Sequence, residues 1–295
     1  MTSAFEAWRE AGEHHVHDGH DIFVRAGGTG RGHALLCVHG LPTASWDWHR
    51  IWPTLEATFG RVLAPDMIGF GFSAKPPAYP YSIFDQADLH EGLMRARGVT
   101  RYRMLAHDYG VTVAQELLVR HDERKRRGDH SLVLEAVVFL NGGLFPETHR
   151  PLLIQKAMLT PLGVVLSRAM SLRMFTRSFA KVFGPHTKPS PEEAREFYTL
   201  LVGNGGNRMA HRLFHYMPER TAYRARWVGG LCDTDVPRRL INGAADPVSG
   251  EHAAARYREL VPDPDVVSLP DIGHYPQVEA PDAVLAAALP ILNAP

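Results

Sequence analysis

Apolar positions fall into short, nearly continuous blocks separated by stretches with helical spacing. "ALLCVHG" (34–40), "RVLAPDM" (61–67), "YRMLAHD" (102–108) and "LVLEAVVFLNGG" (132–143) each end in a polar or glycine turn. Such blocks suit strands covered on both faces. Between the first two, "SWDWHRIWPTLEATFG" sets Trp46, Ile51 and Leu55 at roughly helical spacing and closes at Gly60, which predicts one helix. Further helices are predicted near 83–97 and over "GVTVAQELLVRH" (110–121). Alternation of this kind means right-handed crossovers and a mostly parallel sheet. Ahead of it, "EHHVHDGHDIFVRAGG" alternates around Asp18-Gly19, a tight hairpin between two edge strands.

The rhythm stops at about Gly143 and resumes near Gly229, with "VPRRLINGAADP", a helix over 250–260, "DVVSLPD" and a last helix ending near Asn293. The interval has helical stretches, Pro and Gly breaks, and no convincing strand. The predicted organisation is therefore a core of residues 1–143 and 229–295 with a helical lid, 144–228, inserted over the strand ends. Open α/β sheets place ligands at that edge.

Composition narrows the partners. A chain of 295 residues, 45% hydrophobic and 22% charged, can bury a large core. Lys+Arg and Asp+Glu are 32 each, so no overall basic field points to nucleic acid or an anionic membrane, and a small neutral ligand fits better. Even "RHDERKRRGDH" (120–130) mixes signs and reads as a solvated helix end and loop. Cys37 and Cys232 stand far apart, and the N-terminus carries acids where a signal peptide needs an apolar run. Both features lead to the expectation of a cytoplasmic protein. The apolar stretch "PLLIQKAMLTPLGVVLSRAM" (151–170) is broken by Gln155, Lys156, Pro161 and Arg168, a partly buried lid segment rather than a stable membrane insertion.

The candidate chemistry lies at the turns. Ala106-His107-Asp108-Tyr109-Gly110 is a strand–turn–helix elbow of the G-x-S-x-G type, with Ala for the first Gly and Asp for Ser. Asp246 ends a later apolar strand in "INGAADP", and His274 follows the last strand in "LPDIGHYP". The order of elbow residue, acid and histidine is that of α/β-hydrolase triads. An aspartate at the apex is already anionic at neutral pH and can attack an sp3 carbon to give an alkyl ester. His274, oriented by Asp246, would then deprotonate the water that hydrolyses the ester. Asn141 ends a strand where an acid could stand, but an amide cannot serve, which favours Asp246.

With "VHGLP" (38–42) and "DMIGFGFS" (66–73), these motifs resemble the α/β-hydrolases with an aspartate nucleophile over nearly the whole chain. The resemblance implies an eight-stranded, mostly parallel sheet flanked by helices. It also implies an oxyanion hole from the backbone N–H groups of Leu41 and Tyr109, a Pro42 that is often cis in the family, and no cofactor or metal. Haloalkane dehalogenases of this family carry Asn and Trp where this chain has Leu41 and Tyr109, and fluoroacetate dehalogenases carry Arg at the latter place. Epoxide hydrolases use lid tyrosines as acids. "AHRLFHYMPER" (210–220) resembles the end of their lid, with Tyr216 at the matching place. No tyrosine lies between Gly110 and Phe197, so the second acid is left open between Tyr198, Tyr109 and none. Tyr109, Tyr198 and Trp46 are the candidate substrate contacts.

"HGLPTASWDW", "YSIFDQA", "AHDYGVTVAQELL", "NGGLFPETHRPLL" and "HYPQVE" further resemble the mesoderm-specific transcript subgroup. The functional expectation is an epoxide hydrolase acting on an apolar epoxide with water, the alternatives being a haloalkane dehalogenase and a noncatalytic binding protein on the same scaffold. The residues suit a monomer and a homodimer alike. His107 is expected to be a packed structural histidine and His39 to brace the oxyanion loop. Asp271 is read as a solvated strand end. His14, His15, His17 and His20 are spread over both hairpin faces rather than gathered on a metal. Glu147, Thr148, His149 and Arg150 open the lid as a hinge or hydrogen-bond network.

Overall fold

Asp18 and Gly19, with φ of 46° and 76°, close the hairpin that begins the sheet, the left-handed pair that a two-residue turn requires. It joins β1 (Gly12–His17) to β2 (His20–Gly27) in a computed structural model that describes residues 2–294. Six strands follow: β3 (Ala34–Val38), β4 (Arg61–Pro65), β5 (Arg101–Ala106), β6 (Val133–Phe139), β7 (Arg238–Gly243) and β8 (Val266–Leu269). Their order is β1-β2-β4-β3-β5-β6-β7-β8, with β1 and β2 antiparallel at one edge and the rest parallel.

Alternation along the central strands explains the layers. On β3, Leu36 and Val38 join one buried cluster with Met104 and Ala106 of β5, while Leu35 and Cys37 join another with Leu105. Side chains of period two therefore feed two cores, one on each face. Helix Tyr109–Arg126 fills the first with Val113, Ala114 and Leu117, and helix Pro281–Leu292 fills the second with Val284 and Ala288.

Two local expectations differ. The helix expected after β3 is a 3-10 turn, Ser45–Trp48, followed by a separate helix, Trp52–Thr58, with Pro53 in its first turn. Proline has no N–H to continue a preceding helix but fits a new one. In the run after residue 120, the helix continues to Arg126, and Arg124 is buried on Glu91 at 2.5 Å.

Between β6 and β7 the described residues are helical, from Pro146–Thr148 to Arg224–Asp233. Ser171 and Ser190 cap helices Leu172–Phe179 and Pro191–Val202 by accepting from the N–H of Met174 and Glu193. The layer is tied down by buried polar bonds. Lys75 donates to the carbonyls of Leu200 (2.9 Å) and Gly203 (2.8 Å), and burial lowers its pKa to about 8. Glu116 takes the Trp227 indole N–H at 2.8 Å and the Arg226 guanidinium at 2.7 Å.

Candidate active site

The C-terminal ends of β3, β5, β6, β7 and β8 meet under the helical layer. β5 ends at Ala106 and the next helix starts at Tyr109, so Asp108 sits at the apex with φ 47° and ψ −110°. A non-glycine residue keeps that backbone only where its surroundings impose it. Here Asp108 N–H donates to Asn141 O at 2.7 Å and His107 N–H to Val38 O at 2.9 Å. The bend also needs Gly110, where a Cβ would lie 2.4 Å from the Val38 carbonyl oxygen.

Asp108, His274 and Asp246 come together. His274 donates Nδ1–H to Asp246 Oδ2 at 2.7 Å and turns Nε2 to Asp108 Oδ1 at 3.4 Å. Asp246 also accepts from Val248 N–H (2.8 Å), Ser249 N–H (3.0 Å), the Ser249 hydroxyl (2.7 Å) and the Asn141 amide (3.0 Å). Asn141 therefore brackets both acids, one through its backbone and one through its side chain. The Leu41 N–H donates to Asp108 Oδ2 at 2.9 Å, next to a cis Leu41–Pro42 bond. The Tyr109 N–H makes no such bond among the described residues.

Electrostatics follow from this packing. Burial alone would raise the Asp108 carboxyl, but His274, His107 and the Leu41 N–H outweigh it and keep it well below the usual carboxylate range. Burial alone would lower His274, but Asp246 and Asp108 hold it well above the usual imidazole value. Asp246 is lowered in its turn: burial opposes the shift, and His274 and Ser249 overcome it. At neutral pH the site rests as an imidazolium between two carboxylates.

Beneath it, His107 Nε2 lies 2.7 Å from the His274 carbonyl and Nδ1 lies 3.3 Å from Asp47 Oδ2. Both partners are acceptor oxygens, one on each side of the ring. Asp47 also accepts the Gly40 N–H at 3.2 Å and the Thr43 hydroxyl at 2.8 Å. His107 thereby joins the Leu41 loop to the His274 loop. His39 donates Nδ1–H to Gly40 O and accepts the Met67 N–H on Nε2, each at 2.9 Å.

Asp108, His274 and Leu41 reach a cavity of about 120 Å³ whose other walls are mostly apolar, among them Met158, Phe175, Phe179, Leu213 and Phe214. Three expected substrate contacts do not line it. Trp46 is buried against Phe5 and Trp8 with its indole N–H on Glu196 at 3.2 Å. The Tyr198 hydroxyl donates to Met170 O at 2.9 Å. The Tyr109 ring is buried on Phe70 and Tyr216, its hydroxyl without a hydrogen-bond partner among the described residues. Tyr216 is off the cavity wall too, its ring 4.8 Å from that of Tyr109, yet its phenol is raised by burial and then by the Asp108 charge.

Sequence reasoning did not bring two further residues to the site: Arg220, which stands against Tyr216, and His149, which stands against Arg220. Arg220 is buried with no carboxylate partner among the described residues, its guanidinium 4.9 Å from the Tyr216 ring centre. It donates to Gly143 O at 2.9 Å and to His149 Nδ1 at 2.5 Å. Burial first, and Arg220 next, lower His149 to about 3, and the charges of Asp108, His274 and Asp246 all act on it. His149 is therefore a neutral imidazole whose free N–H is on Nε2. The available signal was the spacing of Tyr216 and Arg220, four residues apart on one helix. At the far edge of the molecule, His14 pairs with Asp21 and His17 with Asp85, which also accepts from Tyr79.

An eight-stranded sheet with this elbow and this acid–histidine pair at its strand ends defines an α/β-hydrolase. Residues 35–288 match the alpha/beta hydrolase family, and the chain belongs to it. It is 40% identical over 304 residues to the mesoderm-specific transcript homolog protein of Bos taurus, covering 99% of this chain and 89% of that protein. Among solved structures it is similar in fold to epoxide hydrolase CorEH, with TM-score 0.76 and 18% identity over 96% of this chain and 98% of that one. It is also similar in fold to haloalkane dehalogenase DbeA from Bradyrhizobium elkani, with TM-score 0.76 and 23% identity over 92% of this chain and 94% of that one. No helix among the described residues is long and apolar enough to cross a membrane.

Proposed function

We propose that the protein is a cofactor-independent epoxide hydrolase in which Asp108 is the nucleophile and the helical layer is the lid. The observation that carries this reading is the His274 ring, 2.7 Å from Asp246 and 3.4 Å from an Asp108 carboxylate that faces an apolar cavity. In the first step an Asp108 oxygen attacks an epoxide carbon, the C–O bond breaks, and the leaving oxygen takes a proton. Esterification removes the Asp108 charge, which weakens the hold of His274 on its own proton. His274 gives that proton up to the conjugate base of the first-step acid and, once neutral, deprotonates a water that attacks the ester carbonyl. The Leu41 N–H, joined by the Tyr109 N–H, stabilises the oxyanion, each donor contributing ~3 kcal/mol. Collapse expels the diol oxygen, which is protonated by His274, and the Asp108 carboxyl so formed passes its proton to the His274 ring, which restores carboxylate and imidazolium.

The proton of the first step is assigned to Tyr216, which stands off the cavity wall but near enough to feel the Asp108 charge, with His149, under the same charge, as a second hydrogen-bond donor to the leaving oxygen. Tyr216 retains its phenolic proton because burial and Asp108 oppose its loss. His149 presents Nε2–H because Arg220 occupies Nδ1. This pair supplies the two donors for which the sequence offered one lid tyrosine. Haloalkane dehalogenation is disfavoured because Leu41 has no side-chain N–H and the Trp46 indole is engaged by Glu196. A panel of apolar epoxides and haloalkanes, followed by diol and halide release, tests the assignment. Diol release is expected, slowed on the order of 100-fold in Tyr216→Phe; halide release without diol would overturn it, and unchanged diol release in the variant would remove Tyr216 from the step.

A further inference from the structure

Overall neutrality conceals a local asymmetry. Between Glu147 and Glu192 there is no acidic residue, while Arg150, Lys156, Arg168, Arg173, Arg177, Lys181 and Lys188 supply seven cations. Among the described residues, four of the six exposed large apolar side chains fall in the same stretch: Leu153 (84% exposed), Leu162 (65%), Val165 (63%) and Met174 (42%). Helical spacing pairs the two features. Leu153 and Lys156 are three apart on helix Leu153–Met158. Val165 and Arg168 are three apart on helix Gly163–Ala169. On helix Leu172–Phe179, Arg173, Met174 and Arg177 are exposed while Phe175 and Phe179 are buried on the other side. Residues three or four apart share a face, so each helix turns an apolar side chain and a cation outward together. Lys156, Arg168, Arg173 and Arg177 form no ion pair among the described residues.

We propose that the outward face of these three helices is a docking surface for an anionic lipid bilayer. Exposed apolar groups on a soluble surface ordinarily lack a partner, and flanking cations without acids fit one that is apolar inside and negative outside. A second copy of the chain would set like charges against each other, which opposes pairing through this face. The inner faces of the same helices line the cavity with Met158, Phe175 and Phe179. A bilayer-dissolved apolar substrate would thus arrive beside the cavity. That delivery step rests on the catalytic reading above; the docking does not.

Vesicle flotation with the full chain tests it, using phosphatidylcholine alone and phosphatidylcholine with phosphatidylglycerol in roughly equal parts. The protein is expected to float with the mixed vesicles at low salt, not with the neutral ones, and to be released by salt. The paired changes Arg173→Glu with Arg177→Glu, and Leu162→Ser with Val165→Ser, are each expected to lower partitioning on the order of tenfold. Asp108→Ala is expected to float as the unaltered chain does, which separates docking from catalysis. No flotation, equal flotation on both vesicles, or variants that float unchanged would each overturn the proposal. Loss of self-association in the Leu162/Val165 variant without loss of flotation would do so in favour of a second copy.

Discussion

Asp246 is fixed by four groups, His274, Val248, Ser249 and Asn141, whereas Tyr216, in the helical layer above it, is fixed by rings and a guanidinium face. The sheet edge holds its polar groups by directional bonds from strand ends whose register is set. Tyr216 is held by packing, which tolerates repositioning. On the proposed function, chemistry that requires one geometry belongs to the first region, and the choice of substrate and access to the second.

The sheet edge is where the largest loss is expected. Asp108→Ala removes the oxygen proposed as nucleophile and should lower turnover on the order of 10⁴-fold or more while the chain still folds. Residual turnover near the unaltered level would move the chemistry away from the edge. In the layer, Arg220→Gln should slow epoxide opening on the order of tenfold and alter its pH profile. With the cation gone, His149 rises from about 3 toward its ordinary 6.5. It then gains its proton as pH falls through that interval, where the unaltered protein has no His149 inflection. Stopped-flow opening rates across that range would show the inflection, and its absence would leave Arg220 a packing residue only. The smallest effect belongs to Trp46→Phe. Its indole serves Glu196 rather than the cavity, so kcat/KM should stay within about twofold and the loss should be in thermal stability, roughly 1 kcal/mol.

The contrast also explains what could be read in advance. Strand blocks, the Asp18-Gly19 hairpin and the elbow are local patterns, and the sheet edge assembles from them: Asp108, Asp246, His274 and Leu41 fall together because each ends a strand. Asn141 could be excluded as an acid by its chemistry, yet its bracket between Asp108 and Asp246 depends on pairing between distant strands. Trp46 and Tyr198 stand in motifs near the site, but their directions follow from a single 3-10 turn and from helix packing, which spacing does not reveal. His149 and Arg220 are 71 residues apart in sequence and meet only because the layer folds back on itself. The cation-rich outer face of the layer was hidden by a net charge of zero, since opposite signs elsewhere cancel the cations of one segment.

The most direct measurement is intact mass of His274→Gln after incubation with an apolar epoxide. The amide cannot deprotonate water, so ester formation should proceed while hydrolysis stops, and the protein should gain the mass of one epoxide, mapped to Asp108 by peptide analysis. A variant that stays at its own mass while the unaltered protein makes diol, or an adduct on any other residue, would contradict covalent catalysis by Asp108.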